Sequence, residues 1–145
     1  MVSCKTQILL VLGYSWLWWT TCSQVISAKH SLKSGEKLNS TTNMCSEKGK
    51  YCIMFSPLHD GSYLTILRQK RDDDWKVWFA NRNEPVDKES AVLLLDHSGV
   101  LKIESKDREL PIILYSSPQP ANNTMATLLD TGNFALQQLH PNGTK

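Results

Sequence analysis

The feature that most constrains this chain is an internal repeat. Ala91-Val92-Leu93-Leu94-Leu95-Asp96-His97-Ser98-Gly99-Val100-Leu101-Lys102-Ile103 is one copy. Ala126-Thr127-Leu128-Leu129-Asp130-Thr131-Gly132-Asn133-Phe134-Ala135-Leu136 is a second. Both run apolar strand, Asp, turn, Gly, alternating strand. A weaker third copy lies at Asp60-Gly61-Ser62-Tyr63-Leu64-Thr65-Ile66. The glycines recur at an interval of roughly 35 residues, within the range of repeat architectures. Three similar β units in one small domain predict pseudo-threefold packing, with each sheet contributing one face to a shared core.

The rest of the chain agrees. Helical periodicity is scarce, and short apolar or alternating runs are broken by Gly, Pro, Asn, Asp and Ser, the pattern of an all-β domain. Strands are predicted near Lys50–Phe55, Ser62–Arg68, Trp75–Ala80, Ala91–Leu95, Val100–Glu104, Pro111–Tyr115, Ala126–Leu129 and Asn133–Gln138. Turns fall at His59-Asp60-Gly61, Asn83-Glu84-Pro85, His97-Ser98-Gly99, Ser117-Pro118-Gln119-Pro120 and Asp130-Thr131-Gly132, all rich in turn-forming residues.

The opening stretch reads as a secretory signal peptide over 1–23. Lys5 supplies a positive start, and the apolar run from Ile8 to Trp19 has the length of a signal core. It is short for a spanning helix, which needs roughly 20 apolar residues. Cleavage is expected after Ser23, with Ala28 as the second position, leaving one soluble domain over 24–145 with no membrane anchor of its own. The net charge is +2, with both signs interspersed, so nothing points to nucleic acid as a partner.

Removing the leader takes Cys4 and Cys22 and leaves Cys45 and Cys52. An oxidising compartment favours a disulfide between them across a turn at Gly49; the alternative is two free thiols. Two cysteines alone do not complete a zinc shell, and no metal or cofactor is expected. Asn39, Asn122 and Asn142 each begin an N-glycosylation sequon.

Two long motifs carry a family resemblance. Val77-Trp78-Phe79-Ala80-Asn81-Arg82-Asn83-Glu84-Pro85-Val86 resembles the V-W-V-A-N-R-x-x-P-[IV] signature of plant S-locus glycoproteins and G-type lectin S-receptor-like kinases. Ala126–Leu136 resembles the A-x-L-L-D-[ST]-G-N-[FL]-V-L segment of the same family. Leu32–Leu38 and Tyr51–Pro57 sit where that family has its opening strands. The resemblance spans about residues 30 to 138. It implies a bulb-type, mannose-binding lectin domain with a three-sided β-prism fold, located outside the cell in the apoplast. Full-length relatives continue into further modules, a membrane helix and a kinase. This sequence contains no kinase Gly-rich loop or catalytic-loop motif. It also lacks the W-x-S-F-D-x-P-T-D segment that contributes to prism closure in related lectins, so the domain is expected to want its closing segment.

The family's sugar motif is Q-x-D-x-N-x-V-x-Y. Alternate residues of a strand face one side, so five such residues form one polar shelf with an apolar floor. Carried onto the second copy, the slots hold Leu129, Thr131, Asn133, Ala135 and Gln137; only Asn133 matches. Carried onto the first, they hold Asp96, Ser98, Val100, Lys102 and Glu104, with no match. The candidate carbohydrate-binding residues are therefore Asn133, Thr131, Asp96 and Ser98, in degenerate motifs. Asn133 is also a natural turn residue after Gly.

Other chemistry finds little footing. Asp96-His97-Ser98 holds the residue types of a hydrolase triad, but three adjacent residues cannot converge on one centre. His30, His59 and His140 have no ligand spacing, and Asp72-Asp73-Asp74 lacks a calcium-loop pattern. Trp75 and Trp78 lie three apart, on opposite strand faces, with Trp78 expected in the core and Trp75 at an edge or as a stacking platform. The sequence thus points to a non-enzymatic, secreted carbohydrate-binding module of mannose type. The alternatives are a protein-interaction module, which pairs with related receptor ectodomains or a peptide, and a truncated non-functional receptor fragment. A homodimer is consistent with related lectins.

Overall fold

The computed structural model describes residues 29–69, 75–117 and 123–139. The expected signal peptide, Asp72–Asp74, His140, and the sequons at Asn122 and Asn142 lie outside the described residues. Eleven strands are described. Three short ones come first, β1 (Ser31–Lys33), β2 (Lys37–Asn39) and β3 (Asn43–Cys45). Then follow β4 (Tyr51–Leu58), β5 (Gly61–Arg68), β6 (Trp75–Phe79), β7 (Val92–Leu95), β8 (Leu101–Glu104), β9 (Ile112–Tyr115), β10 (Thr124–Leu128) and β11 (Phe134–Gln138).

They form three antiparallel sheets. Sheet A is β1-β10-β11, sheet B is β2-β7-β8-β9, and sheet C is β3-β4-β5-β6. Each repeat copy is one hairpin in one sheet: β10–β11 in A, β7–β8 in B and β4–β5 in C. The pseudo-threefold, all-β prism expected from the repeat is the observed architecture.

The opening segment ties the sheets together. Leu32, Leu38 and Met44 follow at six-residue steps. Each is the middle residue of its short strand and is fully or almost fully buried. One such side chain therefore enters the core from each sheet. Burying each contributes about 1.5–3 kcal/mol. Around them the hairpins alternate. Leu93 and Leu95, Leu101 and Ile103, Ile53 and Phe55, Leu64 and Ile66, and Ala126 and Leu128 face inward.

Two turn contacts lock neighbouring sheets. Gly35, at φ +83, lies against the His97 imidazole, 2.5 Å from where a Cβ would sit. Gly132, at φ +88, meets the Tyr51 ring at 3.0 Å. Both positions combine a left-handed backbone with a close neighbour, so only glycine fits without displacement. The Asp130 carboxylate accepts from Lys48 N at 3.0 Å, fastening the β10–β11 turn to the β3–β4 loop.

Asn81, of the Val77–Val86 motif, is 3 % exposed and fully bonded. Its Oδ1 accepts from Leu64 N at 2.8 Å, and its Nδ2 donates to Glu84 O at 2.8 Å and Ser62 O at 3.2 Å. One side chain thus pins the loop after β6 onto β5.

Two expectations need correction. Trp78 is 40 % exposed, so it is not a core residue in the full sense. Nor do Trp75 and Trp78 face opposite ways. A bulge at Val77 shifts the register, pairing Trp78 with Ile66 and Trp75 with Arg68, two positions on one face of β5. An added residue reverses the parity of everything beyond it. The sequence reading also left β3 unassigned, because a three-residue strand is too short to display alternation.

The Cys45–Cys52 disulfide is formed, between directly paired residues of β3 and β4. Closing so short a loop is worth roughly 2–3 kcal/mol, and reduction should lower the unfolding free energy by about that much in urea titrations. Asn81→Ala should cost about 2–4 kcal/mol in the same assay, because it leaves a buried N–H and two carbonyls unpaired.

Candidate functional site

The slot residues can now be placed on the sheets. In the β7–β8 turn, Gly99 N donates to Asp96 O and Asp96 N to Val100 O. In the β10–β11 turn, Gly132 N donates to Leu129 O and Leu129 N to Asn133 O. The two turns are built alike, so Asp96 corresponds to Leu129, Ser98 to Thr131 and Val100 to Asn133. The four candidate residues thus divide between hairpins of different sheets, and the fold does not gather them into one site.

On sheet B the polar side chains are already engaged. Asp96 Oδ1 accepts from Ser98 Oγ at 2.7 Å, Val100 N at 2.9 Å and Ser98 N at 3.0 Å. Lys102 Nζ lies 3.0 Å from Glu104 and 3.9 Å from Asp96 Oδ2. Asp96 and Ser98 therefore build the turn, and Lys102 bridges two carboxylates where a sugar ring would need an apolar floor. Asp96-His97-Ser98 is a turn, as expected, and His97 packs on Gly35.

On sheet A the situation differs. Thr131 and Asn133 are exposed at the hairpin tip. Along the outer face, Met125 pairs with Gln137 and Thr127 with Ala135. Thr127 Oγ1 and Gln137 Oε1 are shielded from solvent and have no hydrogen-bond partner among the described residues. A shallow hollow of about 390 Å³ lies beside Thr127, lined also by His30, Ser31, Met125 and Asp130. Thr127 was missed in the sequence; its alternation with Met125 along β10 was the available signal, because it fixes which side chains face out.

A third feature lies where the sheets converge. A cleft of about 660 Å³ is lined by Ile66 and Trp78 of sheet C, Leu101 and Leu114 of sheet B, and Phe134 and Leu136 of sheet A. Asn133 and Tyr115 stand at it as well. Among the described residues no cluster of His, Cys, Asp or Glu is suited to hold a metal.

Residues 76–145 match the family model described as D-mannose binding lectin. The chain belongs to the bulb-type lectin family. It is similar to two G-type lectin S-receptor-like serine/threonine-protein kinases of Arabidopsis thaliana. One, At1g67520, is 32% identical over 114 residues, which is 78% of this chain and 14% of the relative. The other, CES101, is 33% identical over 115 residues, 78% of this chain and 13% of the relative. The chain thus spans about a seventh of the length of these relatives.

In this bulb-type lectin domain the Asp96 turn has a measurable signature. Burial works against ionisation of Asp96, but the hydrogen bonds from Ser98 and Val100 and the charge of Lys102 outweigh it. The carboxyl is held below the usual carboxylate range. A carboxyl depressed on folding adds stability above its unfolded pKa, and that stability is lost as pH falls through the folded value. The stability advantage of wild type over Asp96→Asn should therefore be constant above about pH 5 and shrink as pH is lowered towards about 2, in urea unfolding at each pH.

Proposed function

We propose that this chain is a secreted, non-enzymatic carbohydrate-binding module of mannose type, one domain over 24–145, whose recognition is confined to the outer face of sheet A. The observation that carries this reading is the contrast between two faces. On sheet B every slot side chain able to bond a hydroxyl is committed to a turn or an ion pair. On sheet A, Thr127 Oγ1 and Gln137 Oε1 are enclosed but unpaired among the described residues, so turning either side chain outward to a sugar breaks no existing bond. Thr131 and Asn133 extend that face at the hairpin tip. Secretion is supported by the leader-like start, the disulfide and the receptor-like relatives. No helix among the described residues is long and apolar enough to cross a membrane. Asn39, the one sequon asparagine among the described residues, is exposed at the end of β2, and its exposure supports a glycan there.

A second reading rests on different residues. Trp75, Val77, Leu110 and Ile113 are each more than half exposed. Large apolar groups at that exposure favour a protein-interaction module that docks on a related receptor ectodomain or a peptide.

Calorimetric titration with mannose-rich glycans separates the two. A face with a few polar contacts should bind on the order of millimolar. Thr127→Val should abolish the heat, and Lys102→Met should leave it unchanged. A folded protein that gives no heat removes the sugar reading and leaves the protein-interaction one.

A further inference from the structure

Of the three short opening strands, one carries a modification signal on its outer side. Leu38 is buried in the core, so its neighbours Lys37 and Asn39 point outward from sheet B. Asn39-Ser40-Thr41 is a glycosylation sequon. The outward residues of β1 are Ser31 and Lys33, and those of β3 are Asn43 and Cys45. Neither of those strands carries an Asn-x-Ser/Thr sequon.

The backbone at Asn39 is held in place. Thr42 Oγ1 accepts from Asn39 N at 3.1 Å and donates to Asn39 O at 3.1 Å. Ser40 Oγ donates to Glu89 O at 3.1 Å. These bonds do not use the Asn39 side-chain amide, which is exposed. A glycan on that amide departs from a fixed point, and the side-chain torsions steer it.

Register decides what lies beside that point. Asn39 pairs with Val92, and Lys37 pairs with Leu94. The same two rows continue across the sheet to Glu104 and Lys102. Bonded and non-bonded pairs alternate along an antiparallel ladder. Leu95 N donates to Glu36 O, one step before the Lys37–Leu94 pair. Lys37–Leu94 and Asn39–Val92 are therefore non-bonded pairs, whose side chains approach most closely. Leu93 and Leu95 are fully buried, whereas Val92 and Leu94 are partly exposed on the outer side. The middle of the sheet B outer face thus presents two branched aliphatic side chains, bordered by Lys37, Lys102 and Glu104, and the nearest attachment point for anything that covers them is Asn39.

We propose that the glycan on Asn39 folds back over the outer face of sheet B, with its innermost N-acetylglucosamine seated on Val92 and Leu94. This rests on the secretion and Asn39 glycosylation of the reading above, and not on sugar binding by sheet A. The occupant follows from the attachment point. A pyranose ring has faces of C–H groups, and the acetamido group ends in a methyl. Laid on two aliphatic side chains, both withdraw apolar surface from water. The ring hydroxyls keep theirs. In this arrangement the chain's own sugar closes the face that holds the slot positions Lys102 and Glu104, and leaves sheet A as the face open to an external glycan.

The test uses the full chain secreted from plant cells. Glycopeptide mass spectrometry reads occupancy at Asn39. An unoccupied Asn39 overturns the proposal together with the glycosylation it rests on, and leaves sheet A binding untouched. The comparison chain is Thr41→Ala, which removes the sequon but keeps Asn39 and the bonds of Ser40 and Thr42. Hydroxyl-radical footprinting should oxidise Val92 and Leu94 severalfold more in Thr41→Ala than in the glycosylated chain. Leu129, exposed in the turn after β10, should react equally in both. Trimming the purified glycosylated chain to its first sugar needs no variant, and it should preserve the protection. Equal oxidation of Val92 and Leu94 with and without an occupied Asn39 overturns the proposal alone. So does protection that vanishes on trimming, which assigns the shielding to the outer sugars.

Discussion

Every part of this structure depends on one constraint. None of the three sheets can bury its inner face alone, so all three must close on one another. The stretch from Ser31 to Cys45 meets that constraint by visiting each sheet in turn, leaving Leu32, Leu38 and Met44 in the common core. The three hairpins then complete the sheets in the order C, B, A. The first fifteen or so described residues therefore make contacts that depend on the whole rest of the domain. Such long-range pairing is slow to assemble, because loop closure precedes its reward.

Polar groups serve the same closure. Asn81 and Asp96 are the residues that a reader looking for chemistry would mark first, and both hold backbone in place. Asn81 replaces three hydrogen bonds that a loop leaving β6 would otherwise lack. Asp96 collects the donors of its own turn. In each case the side chain is satisfied within the fold, which removes it from any list of groups free to meet a ligand. Thr127 and Gln137, which keep an unpaired oxygen among the described residues, lie on sheet A.

The fold was legible in the sequence to a large extent, and for physical reasons. Hairpins of four to eight residues display their period and end in Gly-containing turns, so Val92–Leu95, Leu101–Glu104 and Phe134–Gln138 lie within a residue of expectation. The Cys45–Cys52 disulfide is the pairing expected across the turn at Gly49. The site was less legible. Parity arguments fail across a bulge, and nothing in Trp-Lys-Val-Trp reveals that Val77 is an extra residue. Slot matching finds side-chain types but cannot tell whether a carboxylate is already bonded, as at Asp96, or an amide oxygen is idle, as at Gln137. That difference is set by neighbours distant in sequence.

The placement of Asn81 has a wider consequence. The motif from Val77 to Val86 carries a resemblance to S-locus glycoproteins, yet its buried polar member works as scaffold. The fold by itself calls for an asparagine at this position. A lineage can therefore keep its hallmark intact while its sugar-facing surfaces drift without restraint, and ancestry read from that hallmark says nothing about whether a given descendant still grips a glycan.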